Sequence, residues 1–244
     1  MIQIFPDAEA LMRGAAEMFV ERARRAVPVC GRFSVALAGG NTPQRTYELL
    51  AGEPYRSGID WSRVHVFWGD ERCVPPVDAR SNYRVTRTAL LDHVPIPAGN
   101  VHRIRGELHP ADGARDYETV LAEHFGTEPA QFDLVFLGLG TDGHTASLFP
   151  GAPVLREWTR RAAEVYVAEL NMWRVTLTAT VLNAAAVVAF LVSGADKADV
   201  LREVIFGPRE PDRLPAQLVQ PTASETRWLV DRAAASRLPA SSRA

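Results

Sequence analysis

The sequence predicts an α/β fold: one Rossmann-like, largely parallel sheet with helices on both faces, formed as a single domain over residues 1–244. Three observations carry this. Short β-prone runs alternate with helical stretches along the chain, the pattern of parallel strands joined by crossover helices. Two of the runs, 132–137 and 187–192, are continuously apolar, as strands covered on both faces must be. Glycine turns follow the runs at 34–38 and 132–137 directly, and the first of them gives the strand, glycine turn, helix succession of such folds. No linker, low-complexity tract or internal repeat interrupts the pattern.

Residues 8–27 alternate alanine, charge and bulky apolar groups at helical spacing and predict the first helix. A strand at 34–38 ends in Gly39-Gly40, and Pro43 opens a helix over 44–50 with Thr42 placed as its N-cap. A strand at 64–68 leads through a polar loop to a helix at 81–91, which Ser81 is placed to cap. A short strand is expected at 101–104, a helix at 111–125, and the most apolar strand at 132–137. Further strands are expected at 174–178, 187–192 and 227–230, with a helix at 196–206 after Gly194. The small, polar tail beyond Ala234 is expected to fray.

Bulk properties narrow the function. Apolar residues make up 47% and charged residues 23%, ordinary for a globular chain, and the formal charge of −2 lacks the basic excess of a nucleic-acid binder. An anionic ligand would therefore need local positive charge. Cys30 and Cys73 have no metal-site spacing and read as incidental thiols. The first 25 residues do not resemble a signal peptide, and the longest apolar run, 184–192, falls far short of the roughly 20 residues of a membrane span, so a cytoplasmic protein is expected. Lys197 is the only lysine, every other basic residue being arginine, which suggests a position that wants a compact ammonium rather than a planar fork.

In open parallel sheets ligands sit at the carboxyl ends of the strands, where every polar motif of this chain falls. The turn Gly39-Gly40-Asn41-Thr42 lets backbone approach a ligand closely, and the helix start behind it favours an anion such as phosphate, although a plain turn with a helix cap has the same appearance. It lacks the ending of a Walker A loop. Asp70, Glu71 and Arg72 follow the strand 64–68, where site chemistry is expected; a solvated loop with an internal Asp70–Arg72 pair is the bland alternative. The second glycine turn, 138–143, contains a formal G-x-G-x-x-G, but Pro150 and Pro153 leave no room for the long helix a dinucleotide site requires. His144 closes this turn. Histidine titrates near neutral pH when unperturbed, which suits proton transfer, and Asp142 stands two residues away to orient it. The histidines at 65, 93, 102, 109 and 124 lack such surroundings and read as surface or core filling. No metal-ligand spacing is present, so no metal is expected. Arg174 and Lys197 could reach over the phosphate turn.

The strings ALAGGNTP, FWGDERCVPPVDARSN, FDLVFLGLGTDGHTASLFPG, RVTLT and SGADKADVL occur in that order. Over residues 30 to 230 the chain resembles the 6-phosphogluconolactonase family, within the wider glucosamine-6-phosphate isomerase and deaminase superfamily. The resemblance implies hydrolysis of 6-phospho-D-glucono-1,5-lactone to 6-phosphogluconate in the oxidative pentose phosphate pathway, without metal or cofactor. Position by position, His144 matches the general base. Asp70 and Arg72 match the active-site loop, and Gly39, Gly40, Asn41 and Thr42 the phosphate loop. Arg174 and Lys197 match basic residues near the phosphate. Ala38 and Asn41 depart from the usual S-G-G-S/T-T-P. The deaminases instead resemble D-G-H-x-A-F-N-E, with a glutamate where Phe149 stands, which argues against deamination. The expected partner is a small-molecule substrate, with no nucleic acid and no membrane, and the expected state a monomer. A non-catalytic sugar-phosphate sensor is the rival from another class.

Overall fold

The computed structural model describes residues 1–126, 130–221 and 225–240. The strands are β1 (Ile2–Phe5), β2 (Phe33–Leu37), β3 (Val64–Trp68), β4 (Asp70–Arg72), β5 (Leu134–Leu137), β6 (Ala162–Val167), β7 (Met172–Leu177), β8 (Val187–Val192) and β9 (Glu225–Asp231). The helices are α1 (Ala8–Cys30), α2 (Asn41–Leu50), α3 (Asn82–Ala89), α4 (Pro110–Phe125), α5 (Ala179–Ala184) and α6 (Ala198–Phe206).

Six strands form one sheet in the order β1-β9-β8-β5-β2-β3, and every pairing in it is parallel. The apolar runs become its centre: β2, β5 and β8 are buried along their whole length, because neighbouring layers cover both of their faces. From β2 the chain moves one way to β3 and then returns on the other side as β5. The strand order thus reverses between β2 and β5, which opens a crevice at their carboxyl ends. Tyr117 of α4 pins the neighbouring strand: its hydroxyl accepts from Trp68 N at 3.0 Å and donates to Trp68 O at 2.9 Å.

A second, three-stranded antiparallel sheet, β4-β7-β6, departs from the expectation of a polar loop at 70–72 and of a strand at 174–178 within one largely parallel sheet. Asp70 pairs opposite Thr176 and Arg72 opposite Arg174, so the acidic motif is a strand whose side chains alternate between faces. Asp70 and Arg72 share one face of β4, yet the expected pair between them gives way to other partners: Asp70 pairs with Arg174, and Arg72 Nη1 donates to Arg80 O. β1, β6 and α5 were not foreseen.

Other boundaries shift for local reasons. α1 runs to Cys30, through Pro28, and stops at Gly31 in a left-handed C-cap. α2 begins at Asn41 with Gly40 as N-cap, so Thr42 sits inside the first turn and caps nothing. Gly40 turns the chain at φ 102°, a conformation open to glycine at little cost, and so starts the helix earlier. Ser81 does cap α3, accepting from Arg84 N at 3.1 Å. The expected strand at 101–104 reduces to one bridge between Val101 and Val66. The expected helix at 196–206 divides into a 3-10 turn over Ala195–Lys197 followed by α6. The tail does not fray at once: Ala234, Ala235 and Leu238 are buried around a 3-10 turn, and 241–244 lie outside the described residues. No helix among the described residues is long and apolar enough to cross a membrane.

Candidate active site

The crevice holds a cavity of ≈ 470 Å³, a volume suited to a small metabolite. It is lined by Gly39, Gly40, Asn41, Thr42, Asp70, Arg72, His144, Arg174 and Lys197. Nine of the ten residues singled out in the sequence therefore meet in one place, and the tenth, Asp142, backs His144. A larger hollow of ≈ 620 Å³, lined by Glu48, Arg56, Asp92 and His93 among others, gathers none of these residues.

One wall is the turn from β2 into α2. Tyr47 fixes it from within α2: its hydroxyl accepts from Ala38 N at 3.0 Å and donates to Ala38 O at 2.7 Å. Burial pushes the Tyr47 phenol far above its ordinary value, so this group stays neutral. The N-terminal amides of the ten-residue α2 lie directly behind Gly40, and its first turn carries no acidic residue that would compete with an anion.

The opposite wall carries the histidine. His144 Nδ1 lies 2.5 Å from Asp142 Oδ1, and the same oxygen accepts from the His144 backbone N–H at 3.1 Å. Burial alone would raise the Asp142 carboxyl, but the hydrogen bonds and charge of His144 outweigh it and hold Asp142 below its ordinary range. An ionised Asp142 beside Nδ1 sets the tautomer, with the hydrogen on Nδ1 and the lone pair on Nε2. Gly140 makes this arrangement possible, because a Cβ added there would fall onto His144 Nδ1 and Asp142 Oδ1. The imidazole also stacks on Phe149, with ring centroids 4.3 Å apart, and the Arg174 guanidinium lies 5.4 Å from the centroid of the same ring.

Between the walls runs a buried polar network. Asp70 is 6% exposed and Arg174 8%. Asp70 Oδ2 accepts from Ser147 Oγ at 2.6 Å and from Arg174 Nη1 at 3.4 Å, and Oδ1 accepts from Asn82 Nδ2 at 3.1 Å. Burial pulls the Arg174 guanidinium down from its ordinary value, Asp70 opposing and Arg72 reinforcing the shift. Glu71 points to the other side of β4 and accepts from Ser81 Oγ, Arg72 N, Asn82 N and Tyr83 N. Burial pushes its carboxyl up against the pull of these four donors. Arg72 Nη1 donates to Arg80 O, while its buried Nε has no partner among the described residues. Lys197 stands 3.5 Å from Asp196 beside the Gly194 turn.

Sequence reasoning missed three members of this assembly. Ser147 lies inside the T-A-S string, with nothing local to tie it to Asp70. Asn82 was visible only as part of a polar loop, yet it lines the cavity at 1% exposure, its Oδ1 without a partner among the described residues. Phe149 was noted as the place of a missing acid, not as a platform for His144.

Residues 6–228 match the family model described as glucosamine-6-phosphate isomerases/6-phosphogluconolactonase. The chain belongs to that family. Within it the sequence falls with the lactonases. A 6-phosphogluconolactonase of Nostoc sp. is 39% identical, over 97% of this chain and 98% of its own length. One of Haemophilus influenzae is 36% identical, over 94% and 96%. The solved 6-phosphogluconolactonase of Trypanosoma cruzi superposes with a TM-score of 0.86 at 28% identity, covering 97% of this chain and 96% of that one.

Proposed function

We propose that this chain hydrolyses 6-phospho-D-glucono-1,5-lactone to 6-phospho-D-gluconate, in the oxidative pentose phosphate pathway, with His144 as the base that activates water. The supporting observation is the His144–Asp142 couple set in the same cleft as an anion-favouring helix start, Arg174 and Lys197.

A δ-lactone is an ester whose carbonyl carbon accepts water directly. His144 Nε2 takes one proton as the water oxygen bonds to C1, and Asp142 stabilises the imidazolium that forms. The C1–O5 bond then breaks, the ring oxygen takes the proton back from His144, and the carboxylic acid ionises to release one proton to solvent. Such base catalysis contributes about 10²–10⁴-fold. Charge on the carbonyl oxygen is met by Arg72, which lines the cavity, or by a backbone N–H of the 138–143 turn. The phosphate binds at Gly39, Gly40, Asn41 and Thr42 with Arg174 and Lys197, which anchors the reacting ring from a distance. The sequence grouped Asp70 with His144 as catalytic. Its carboxylate is engaged by Ser147, Asn82 and Arg174, which supports reading it as a positioning group for them.

The test follows acid release from freshly generated 6-phosphogluconolactone, corrected for spontaneous hydrolysis. The proposal expects an enzyme-dependent rate proportional to protein concentration. Tight 6-phosphogluconate binding without turnover would make the protein a sensor, and ammonia release from glucosamine 6-phosphate would make it a deaminase.

A further inference from the structure

The sequence set aside the histidines at 65, 102 and 124 as filling, yet the fold gathers them. A ring nitrogen from each lies within 4.8 Å of the others, and all three residues are partly exposed. His65 is the second residue of β3, opposite Ser34 of β2; His102 follows the Val101 bridge; His124 belongs to the last turn of α4. The cluster therefore sits at the amino end of β3. Asp70 and the catalytic cleft lie past its carboxyl end, and the four steps along the strand from His65 to Gly69 alone span about 13 Å. From this geometry we propose that His65, His102 and His124 form a binding site for a divalent transition-metal ion of the zinc class, each contributing one ring nitrogen.

Ligand type and spacing support this. Imidazole suits zinc and its neighbours, and three histidines leave a fourth position for water or another oxygen. At zinc–nitrogen distances of 2.0–2.1 Å, ligand atoms of a tetrahedral site stand about 3.4 Å apart. His65 Nδ1 and His102 Nε2 are 3.0 Å apart, so seating an ion opens this pair by about 0.4 Å. The ring that donates in that pair then carries its hydrogen on its other nitrogen, and no net proton is lost. The Ser34 hydroxyl lies 2.8 Å from His124 Nε2, at hand for ring or ion.

The rings are held in place. His102 stacks on Phe67, with centroids 4.3 Å apart, and its backbone N–H donates to Val66 O. His124 packs edge-on to Phe125. Burial pulls all three imidazoles down, His102 to about 4 and His124 to about 3, which favours their neutral forms. Arg32, which donates to His124 O, opposes a cation, and it is partly offset by Asp133, whose carboxylate accepts from Ser34 N.

The test is titration of the full chain with Co2+ and Zn2+, read by the ligand-field absorption of bound Co2+ and by the imidazole NMR signals. One equivalent is expected to bind and to shift the signals of His65, His102 and His124 together. His102→Gln and His124→Gln are each expected to weaken binding by about 100-fold or more, since losing even a supporting outer-shell partner costs 10–100-fold. His144→Ala should bind like the wild type. The idea is overturned if the wild type binds no Zn2+ or Co2+, if the substitutions leave affinity unchanged, or if binding disappears in His144→Ala instead. The NMR readout needs no substitution, so a variant that fails to fold leaves the test intact.

Discussion

Removing the Asp70 carboxylate isolates the buried network from the chemistry it supports. In Asp70→Ala the Arg174 guanidinium, 8% exposed, keeps its charge and loses its paired acid, while Ser147 Oγ loses its 2.6 Å acceptor. Breaking a buried pair from one side costs about 3–5 kcal/mol, because the remaining charge stays out of water. For a chain of this length each kcal/mol lowers the melting temperature by about 2–4 °C, so the loss is about 6–20 °C. The double variant Asp70→Ala/Arg174→Met removes both charges and should recover much of that loss, whereas independent sites would show additive losses. Calorimetry and urea unfolding of the four forms close the cycle. A single-variant loss under about 2 °C, or a double variant no better than the sum of the singles, would refute the reading that the two charges depend on one another.

Other substitutions probe single contacts. Gly140→Ala should leave the fold cooperative but lower lactone turnover by about 10²-fold or more, because the new Cβ displaces His144 from Asp142; steady-state kinetics beside a melting curve separate the two effects. Lys197→Ala should mainly raise KM with kcat little changed, and a fall in kcat at constant KM would contradict an anchoring role. Glu157 accepts from Thr159 N, Thr159 Oγ1 and Arg160 N, which hold its carboxyl down to about 2. A depressed acid contributes stability above its unfolded value near 4.5 and loses it as pH falls toward 2. Glu157→Gln should therefore melt below the wild type at pH 7, with the gap shrinking between about pH 4.5 and 2. Chelators that strip an ion from the His65–His102–His124 cluster should leave lactone hydrolysis unchanged, since that cluster lies at the far end of β3.

The fold was most legible where one residue pattern dictates one environment. Continuous apolar runs announced β5 and β8, and the glycine turns announced the ends of β2 and β5, because backbone freedom there is written in residue type. β4 was hidden because a three-residue charged strand has no periodicity, and its pairing with β7 joins residues about a hundred positions apart. β6 alternates weakly among alanines and looks like loop. The candidate site was legible for the same reason as the turns: Gly39 to Thr42 and 138–144 are marked by local residue type, and both turns line one cavity. Asp70–Ser147 and the three-histidine cluster carry theirs across the fold, in contacts that no spacing along the chain reveals. Thr42 as N-cap failed because Gly40 turns the backbone two residues earlier.

The central claim is that an imidazole oriented by Asp142 activates the water that opens the lactone. Its most direct test compares His144→Ala with the wild type in enzyme-dependent turnover of 6-phosphogluconolactone and in affinity for 6-phosphogluconate. The account predicts that kcat falls by about 10²–10⁴-fold while product affinity stays within a few-fold. Turnover near that of the wild type would contradict it.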